Sequence, residues 1–418
     1  MYIQIHRSDN RNTRRAKKSL KQKLNSIKKE KRKEIRRYPK KIKNIKKRQF
    51  ISSPVIYNPE VQNFCDQNKI EKWKIPPSKI DLDSEFSLYK SPAKVLRTLL
   101  NILYLAKTKS KYVTLSYKGY VSFGAIYFID TICWQIASKK RWYLKHNLPE
   151  KEKQLLSNLK SIKSNTSDSE YAYVINNRIR INREEDDLAK QTFKIKSKEI
   201  RDLIIQGIRE NDSSYILPHE GHTAIDSAIS EHFDNILLHV PEAEYGFLCG
   251  YFDRSAKEIT LLIYNFGHTI ANSLDNKKLP KHVQPAVDEI ILNHTKKSLL
   301  WGKSFTKENA LTLLAIQEGI SSKLDADISR GHGLIDYIEH CFKLSQHSKV
   351  VIISGKTAIR VDSNYSVVNA NVLGRQRRII AFNNENDIFE KPDGNNVINL
   401  TVNFPGVIIE TTIPLNSI

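Results

Sequence analysis

Cysteine is scarce in this chain: Cys65, Cys133, Cys249 and Cys341 lie far apart and form no C-x-x-C pair. That excludes a zinc knuckle and a dense disulfide framework, and it suits a reducing, cytoplasmic setting. Long apolar runs are also missing. The most apolar stretch, GYVSFGAIYFIDTICWQIA, is interrupted by Asp130 and opens with alternation, so it reads as a buried strand and helix, not a membrane span. No apolar run follows the charged N-terminus, so no signal peptide is expected. Acid is what the first fifty residues lack. There, 21 Lys and Arg stand against 3 Asp and Glu, which places about +18 of the formal net charge of +23 in that stretch. Aromatics are sparse in it as well, with Tyr2, Tyr38 and Phe50 alone.

What residues 1–50 do contain is a basic arm. Leu20, Leu24, Ile27, Ile35, Ile42 and Ile45 are too thinly spread to form a core face, and Pro39 interrupts them. The arm reads as a solvated tail, or as a segment that becomes helical when bound. Its cations would release counterions from the phosphates of RNA or DNA. Without interleaved aromatics it would stack little on bases and discriminate little between sequences.

The rest of the chain is nearly balanced in charge, and an apolar fraction of 40% over 418 residues is enough for two or three domains. Residues 51–85 hold prolines and polar turns and read as a connector. From SPAKVLRTLLNILYLAK to the apolar AIYFIDTICWQIA, the pattern predicts helix, strand, turn and helix, with YVTLSY as the strand. This order resembles the STAS-like domains of regulators over about fifty residues, and Ser122 stands where those domains carry a phosphorylatable serine. A STAS-like α/β domain with its linker is therefore expected over 51–195. Residues 146–200, charged and loop-rich, read as helices and linkers. Beyond about 200, helices are followed by the strands YGFLCGYFD, EITLLIYNFG, SKVVIISG and GVIIETTIPL. That order predicts an α+β domain over 196–418, a two-layer sandwich of a mixed sheet with helices on one face.

Chemistry-bearing residues gather in this second half. In AISEHFDNILLHV, Glu231, Asn235 and His239 are spaced four apart and share one face of a helix, while Ile229, Phe233, Ile236, Leu237 and Val240 form the buried stripe. A half-buried helix with a polar edge would show the same short pattern. Three further signals follow in order: ITLLIYNFGHTI runs a strand into a turn at Gly267, ISRGHGLIDYI sets Gly331 and Gly333 before a helix, and FPGVIIETTIPL is a glycine turn and a strand. Physically, the Asn235 side-chain oxygen is a hard ligand suited to Mg2+. Glu231, one turn earlier, can order or deprotonate an attacking water or hydroxyl. Gly331 and Gly333 let backbone N–H groups approach phosphates at a helix N-terminus.

Taken together, these segments resemble the histidine-kinase-like (GHKL, or Bergerat-fold) ATPase superfamily over roughly residues 200–418. The resemblance implies an ATP and Mg2+ site. Its helix box maps onto Glu231 and Asn235, its first glycine box onto Asn265, Gly267 and Thr269, and its second onto Gly331, His332, Gly333 and Leu334. AIQEGISSK, residues 315–323, resembles the lid of stand-alone prokaryotic members, the lid as a whole covering about 276–330. The chain departs from the family at three places: Asn265 stands for the adenine-reading Asp, Thr269 for the second glycine, and Val407 for the Thr of the final strand. His239 reads as a core histidine. His219 and His222 lie too close to the helix box to be the phosphoacceptor of a histidine kinase, and a topoisomerase, protease or chaperone is not expected. The implied function is a Mg-dependent ATP-binding and ATP-hydrolysing switch acting on a partner protein or nucleic-acid complex, by analogy in prokaryotic antiviral defence. The alternatives are a serine/threonine kinase of a STAS-type partner and a nucleic-acid-binding module on a degenerate ATPase fold.

Overall fold

In PAKVLRTLLNILYLAK, apolar residues occupy most of the helix circumference. Such a helix is stable only with neighbours on more than one side. The computed structural model gives it two such neighbours, both β-sheets. It describes residues 59–70, 74, 77–82, 85–107, 112–137, 143–147, 166–168, 172–180, 186–211, 213, 245–275, 284–296, 305–320, 333–372 and 374–415. After helix α1 (Pro59–Gln67) come β1 (Lys79–Leu82), α2 (Pro92–Lys107), β2 (Tyr112–Tyr117), α3 (Phe123–Ala137) and β3 (Tyr143–Asn147). The strands β1, β2 and β3 pair in parallel, in that order. Helices α2 and α3 are their crossovers, as parallel neighbours require.

The second sheet is larger. It is built from β4 (Thr166–Asp168), β5 (Ala172–Arg180), β6 (Tyr245–Asp253), β7 (Glu258–Phe266), β8 (Lys349–Val361) and β11 (Val397–Pro414), in the order β4-β5-β6-β7-β11-β8. Helix α4 (Asp186–Asn211) lies between β5 and β6 in the chain; α5 (Ile270–Asp275), α6 (Gln284–Thr295), α7 (Lys307–Ala315) and α8 (Gly333–Leu344) lie between β7 and β8. The strands β9 (Val368–Val372) and β10 (Arg375–Ile379) form a separate antiparallel hairpin.

Two cores sandwich the large sheet. On one face, α1, α2, α3 and the parallel sheet pack against Leu262, Tyr264, Phe266, Val351, Ile353, Phe404 and Ile408. On the other, α5 to α8 and the hairpin pack against Val350, Ile352 and Ile409. Because both faces are covered, β7 is buried at every position after Glu258. Strand β8 alternates between the two cores and slips by one at Gly355: Val351 and Ile353, then Ala358, face the first core, while Val350 and Ile352, then Ile359 and Val361, face the second.

The α+β expectation holds at the level of an antiparallel sheet with helices. Residues 51–85, read as a connector, carry α1 and β1, and three further details of the sequence reading change. The large sheet is antiparallel at every pairing rather than mixed, the parallel pairs being confined to β1–β3. It carries helices on both faces instead of one, because α2 and α3 have apolar surface to spare beyond what three short strands can cover. Within 146–200, read as helices and linkers, β4 and β5 extend the sheet, with β5 pairing along the whole length of β6. The four cysteines are free and buried. Among the described residues, no helix is long and apolar enough to cross a membrane.

Candidate functional site

The last residues of β7 run into a turn whose backbone favours glycine. Gly267 takes φ +139°, and its N–H donates to Pro405 O at 3.1 Å. Opposite it, Gly406 takes φ +137°, and a Cβ there would lie 2.0 Å from Asn265 O. The glycine turn at the end of β7 thus lies beside a glycine inside β11, at a register shift between Phe404 and Val407; the sequence reading of a turn at FPG gives way to an unbroken strand there. In the register, Asn265 faces Val407, and Val407 faces Ser354 of β8. Directly paired residues share a sheet face, and Val407 packs on the second core. Asn265, Val407 and Ser354 therefore form a row beneath α5–α8.

The row is polar at both ends. Asn265 is 2% exposed, and its Nδ2 donates to Phe266 O at 3.2 Å. The Ser354 hydroxyl accepts from Ile270 N at 2.9 Å and donates to Gly406 O at 2.8 Å. One buried hydroxyl thus satisfies the first amide of α5 and the Gly406 carbonyl of β11 together. Thr269 caps the same helix: its Oγ1 accepts from Asn272 N at 3.1 Å. A threonine where the resembled family has glycine is explained by this cap. Across from the turn, Glu308 of α7 accepts from Lys356 N at 2.9 Å, and a Cβ on Gly355 would sit 1.6 Å from its Oε1. Thr306 and Asn309 form a capping box at the start of α7, and Asn309 Nδ2 donates to Thr357 Oγ1 at 2.9 Å. Helix α7 is thereby a fixed wall of the second core, although its sequence lies within the span 276–330 that reads as a lid. Helix α6 is tied down as well, by the buried His294, whose Nε2 donates to Ile388 O at 3.0 Å. Burial lowers the pKa of that imidazole.

The structure brings Asn265, Gly267 and Thr269 into one turn, and it places Gly333 as the first residue of α8, with Leu334 against the same second core. The helices that follow both glycine boxes therefore lie on one face of one sheet. Glu231, Asn235, Gly331 and His332 lie outside the described residues, as do His219, His222, His239 and the arm 1–50. Ser122, on the other side of the sheet, caps α3 by accepting from Ala125 N at 3.3 Å.

Sequence reasoning passed over Ser354, Glu308 and Glu410. The first left a trace, since Ser354-Gly355 breaks an otherwise apolar strand. Glu410 left none beyond being a lone acid in VIIETTI. It is 3% exposed, and its Oε1 has no hydrogen-bond partner. That atom crowds Gly124 near the start of α3, where a Cβ would lie 1.9 Å away. Burial, reinforced by Glu258 and opposed by the Tyr89 N–H, pushes its pKa up to about 8. A scan against protein-family models finds no match for this chain, and searches of curated proteins and of solved structures find none either.

Proposed function

We propose that this protein binds Mg-ATP on the second-core face of the large sheet and works as a nucleotide-dependent switch on a partner. The observation that carries the reading is the glycine turn at Gly267 beside Asn265, closed by Gly406 of β11, with the helix that opens at Gly333 packed on the same face. Backbone N–H groups at such turns and at helix N-termini suit phosphates. In this reading the Asn265 amide oxygen accepts from the adenine amino group. Asn235 would hold Mg2+ through its side-chain oxygen, and the ion would supply positive charge at the phosphates. Glu231 orders the attacking water, and hydrolysis resets the switch.

The test is a thermal melt of the full chain with and without Mg-ATP. Ligand binding to the folded state should raise the midpoint. Glu231→Ala should keep the shift and lose phosphate release, whereas Asn235→Ala should lose both. No shift with any nucleotide would overturn the reading. Label transferred to a protein partner would replace hydrolysis with kinase chemistry.

The charge of residues 1–50 favours a second, compatible reading, in which the arm holds nucleic acid without sequence preference. Deleting residues 1–50 should abolish salt-dependent binding to a short duplex and leave the Mg-ATP shift intact. Equal binding by the truncated chain would overturn it.

A further inference from the structure

Strand β9 reads the same in both directions: Val368-Asn369-Ala370-Asn371-Val372 is a palindrome about Ala370. One of its edges pairs with β10, in a register that sets Val368 against Ile379, Ala370 against Arg377 and Val372 against Arg375. The bonds of β10 show which backbone groups lie on the other edge. Glu318 N donates to Arg378 O at 3.2 Å, and Arg378 N donates to Glu318 Oε2 at 2.6 Å. Gln317 Nε2 donates to Ile380 O at 3.1 Å, and Ile380 N donates to Gln317 Oε1 at 2.8 Å. Arg378 and Ile380 thus turn their backbone groups away from β9. Direction alternates along a strand, so Arg375, Arg377 and Ile379 turn theirs toward it, and Val372, Ala370 and Val368 answer them. Asn369 and Asn371, in between, direct N–H and C=O to the outer edge. Both residues are exposed, and among the described residues no hydrogen bond reaches those four groups.

That edge lacks the devices that keep free strands apart. β9 has no proline, no charged side chain and no shift of register. An open edge is a template for another strand, and a palindrome suits a second copy of itself. A two-fold axis through Ala370 sets Asn369 of each copy against Asn371 of the other. Each of these pairs exchanges two N–H···O bonds, and the two alanines meet at the axis as a non-hydrogen-bonded pair. The ends of β9 also differ in charge. Asn386 Nδ2 donates to Ser366 O at 3.0 Å, which holds the exposed Glu385 and Asp387 beside the start of β9. At the other end the exposed Arg375 opens β10 across from Val372. Antiparallel pairing brings the acidic end of each copy to the arginine end of the other.

We propose that the outer edge of β9 is a self-association surface, through which two copies join their hairpins into one four-stranded antiparallel sheet of order β10-β9-β9-β10. Five residues a side make a small interface, so the dimer is concentration-dependent. The proposal is independent of the Mg-ATP reading, since it needs no ligand.

The experiment is sedimentation of the full chain, freed of nucleic acid, from about 1 to about 100 µM, the range of small transient interfaces. Wild type should show a monomer–dimer equilibrium that weakens as salt rises, and amides 369 and 371 should exchange more slowly in the concentrated sample. Asn371→Pro removes one outward N–H and spares the β10 ladder. It should weaken the dimer about tenfold or more with little change in melting temperature. The double substitution Asn369→Lys with Asn371→Lys puts lysine opposite lysine at both pairs and should abolish the dimer. Asn369→Asp with Asn371→Lys puts opposite charges together in this register and should restore it. A wild-type monomer at every concentration overturns the proposal, and amides 369 and 371 protected in that monomer would assign the edge to another segment. A dimer that survives the double lysine variant, or folded double variants that behave alike, overturns it as well.

Discussion

The two faces of the large sheet are built from different materials. Toward α1–α3 the sheet presents rings: Phe404 lies with Phe64, Phe128 and Phe266 at centroid distances of 5.6, 5.9 and 5.1 Å, and Phe247 stacks on Tyr264 at 4.5 Å. Toward α5–α8 it presents aliphatic residues interrupted by the buried Asn265, Ser354 and Thr357, which meet Thr269 before α5 and Asn309 of α7. Aromatic packing gains from area and ring geometry and asks for no particular backbone. Buried hydroxyls and amides must each find a partner, so they fix the backbone around them. The first face is a stabiliser. The second is where geometry is held, and it is the face that carries the Gly267 turn.

The sharpest way to break this contrast is to remove a ring. Phe404→Ala, at a side chain with no exposure, should cost about 4 kcal/mol of stability. Chemical denaturation would measure it. Any protein that remains folded should bind Mg-ATP with wild-type affinity, since the substitution leaves the second face untouched. A large loss of affinity in the folded fraction would show that the faces are not separable.

Glu410 is the exception on the aromatic face, and pH exposes it. For an acid whose folded pKa is raised from 4.5 to about 8, the protonated form is favoured in the folded state. Stability is then highest below pH 4.5 and is lost as pH rises to about 8. Glu410→Gln removes the titration while keeping the shape. At pH 9 it should be more stable than wild type, by on the order of 5 kcal/mol, and the gap should close near pH 4. A pH-independent difference would place the carboxyl's ionisation elsewhere.

On the other face, Gly406→Ala tests the contact between β11 and the Gly267 turn. A Cβ 2.0 Å from Asn265 O, at φ +137°, forces β11 away from the end of β7. The expected cost is about 2 kcal/mol, a smaller loss than for Phe404→Ala, yet the thermal shift with Mg-ATP should disappear. Retained binding would mean that this glycine pair does not form the nucleotide site.

The sequence revealed these faces unequally. Period-2 alternation and apolar density made β6, β7, β8 and the end of β11 legible, and helical spacing did the same for α2 and α3. The glycine of NFG showed where β7 ends, because few other residues tolerate that turn, whereas FPG, read as a turn, lies inside β11, its glycine taking up a bulge. β5 was missed because AYVINNRIR mixes charge with apolar residues and sits in a charged neighbourhood. The second covered face was missed because burial on both sides leaves an unbroken apolar run, which does not say what lies on each side. Arg378 and Glu410 were illegible for a further reason. Their partners lie up to 60 residues away in the chain for Arg378 and further still for Glu410, so only the assembled sheet brings them together.

The finest test concerns a single hydroxyl. Ser354 bridges Ile270 N and Gly406 O, so Ser354→Ala leaves one buried donor and one buried acceptor without their shared partner. The substitution removes little apolar area, so its cost should be about 1–2 kcal/mol, the penalty of an unmade buried hydrogen bond. On the aromatic face a hydroxyl offers the contrast: Thr131 also spans two elements, bonding the Tyr127 carbonyl within α3 and the Tyr264 hydroxyl of β7. It is only part-buried there, so water can replace its contacts and Thr131→Val should cost less. Hydrogen exchange separates the two cases. Ser354→Ala should speed exchange at Ile270 while leaving β7 protected, because the turn loosens before the sheet does. If both substitutions cost the same and neither loosens a local amide, the polar row is no more rigid than the ring cluster. The division of labour between the faces would then fail.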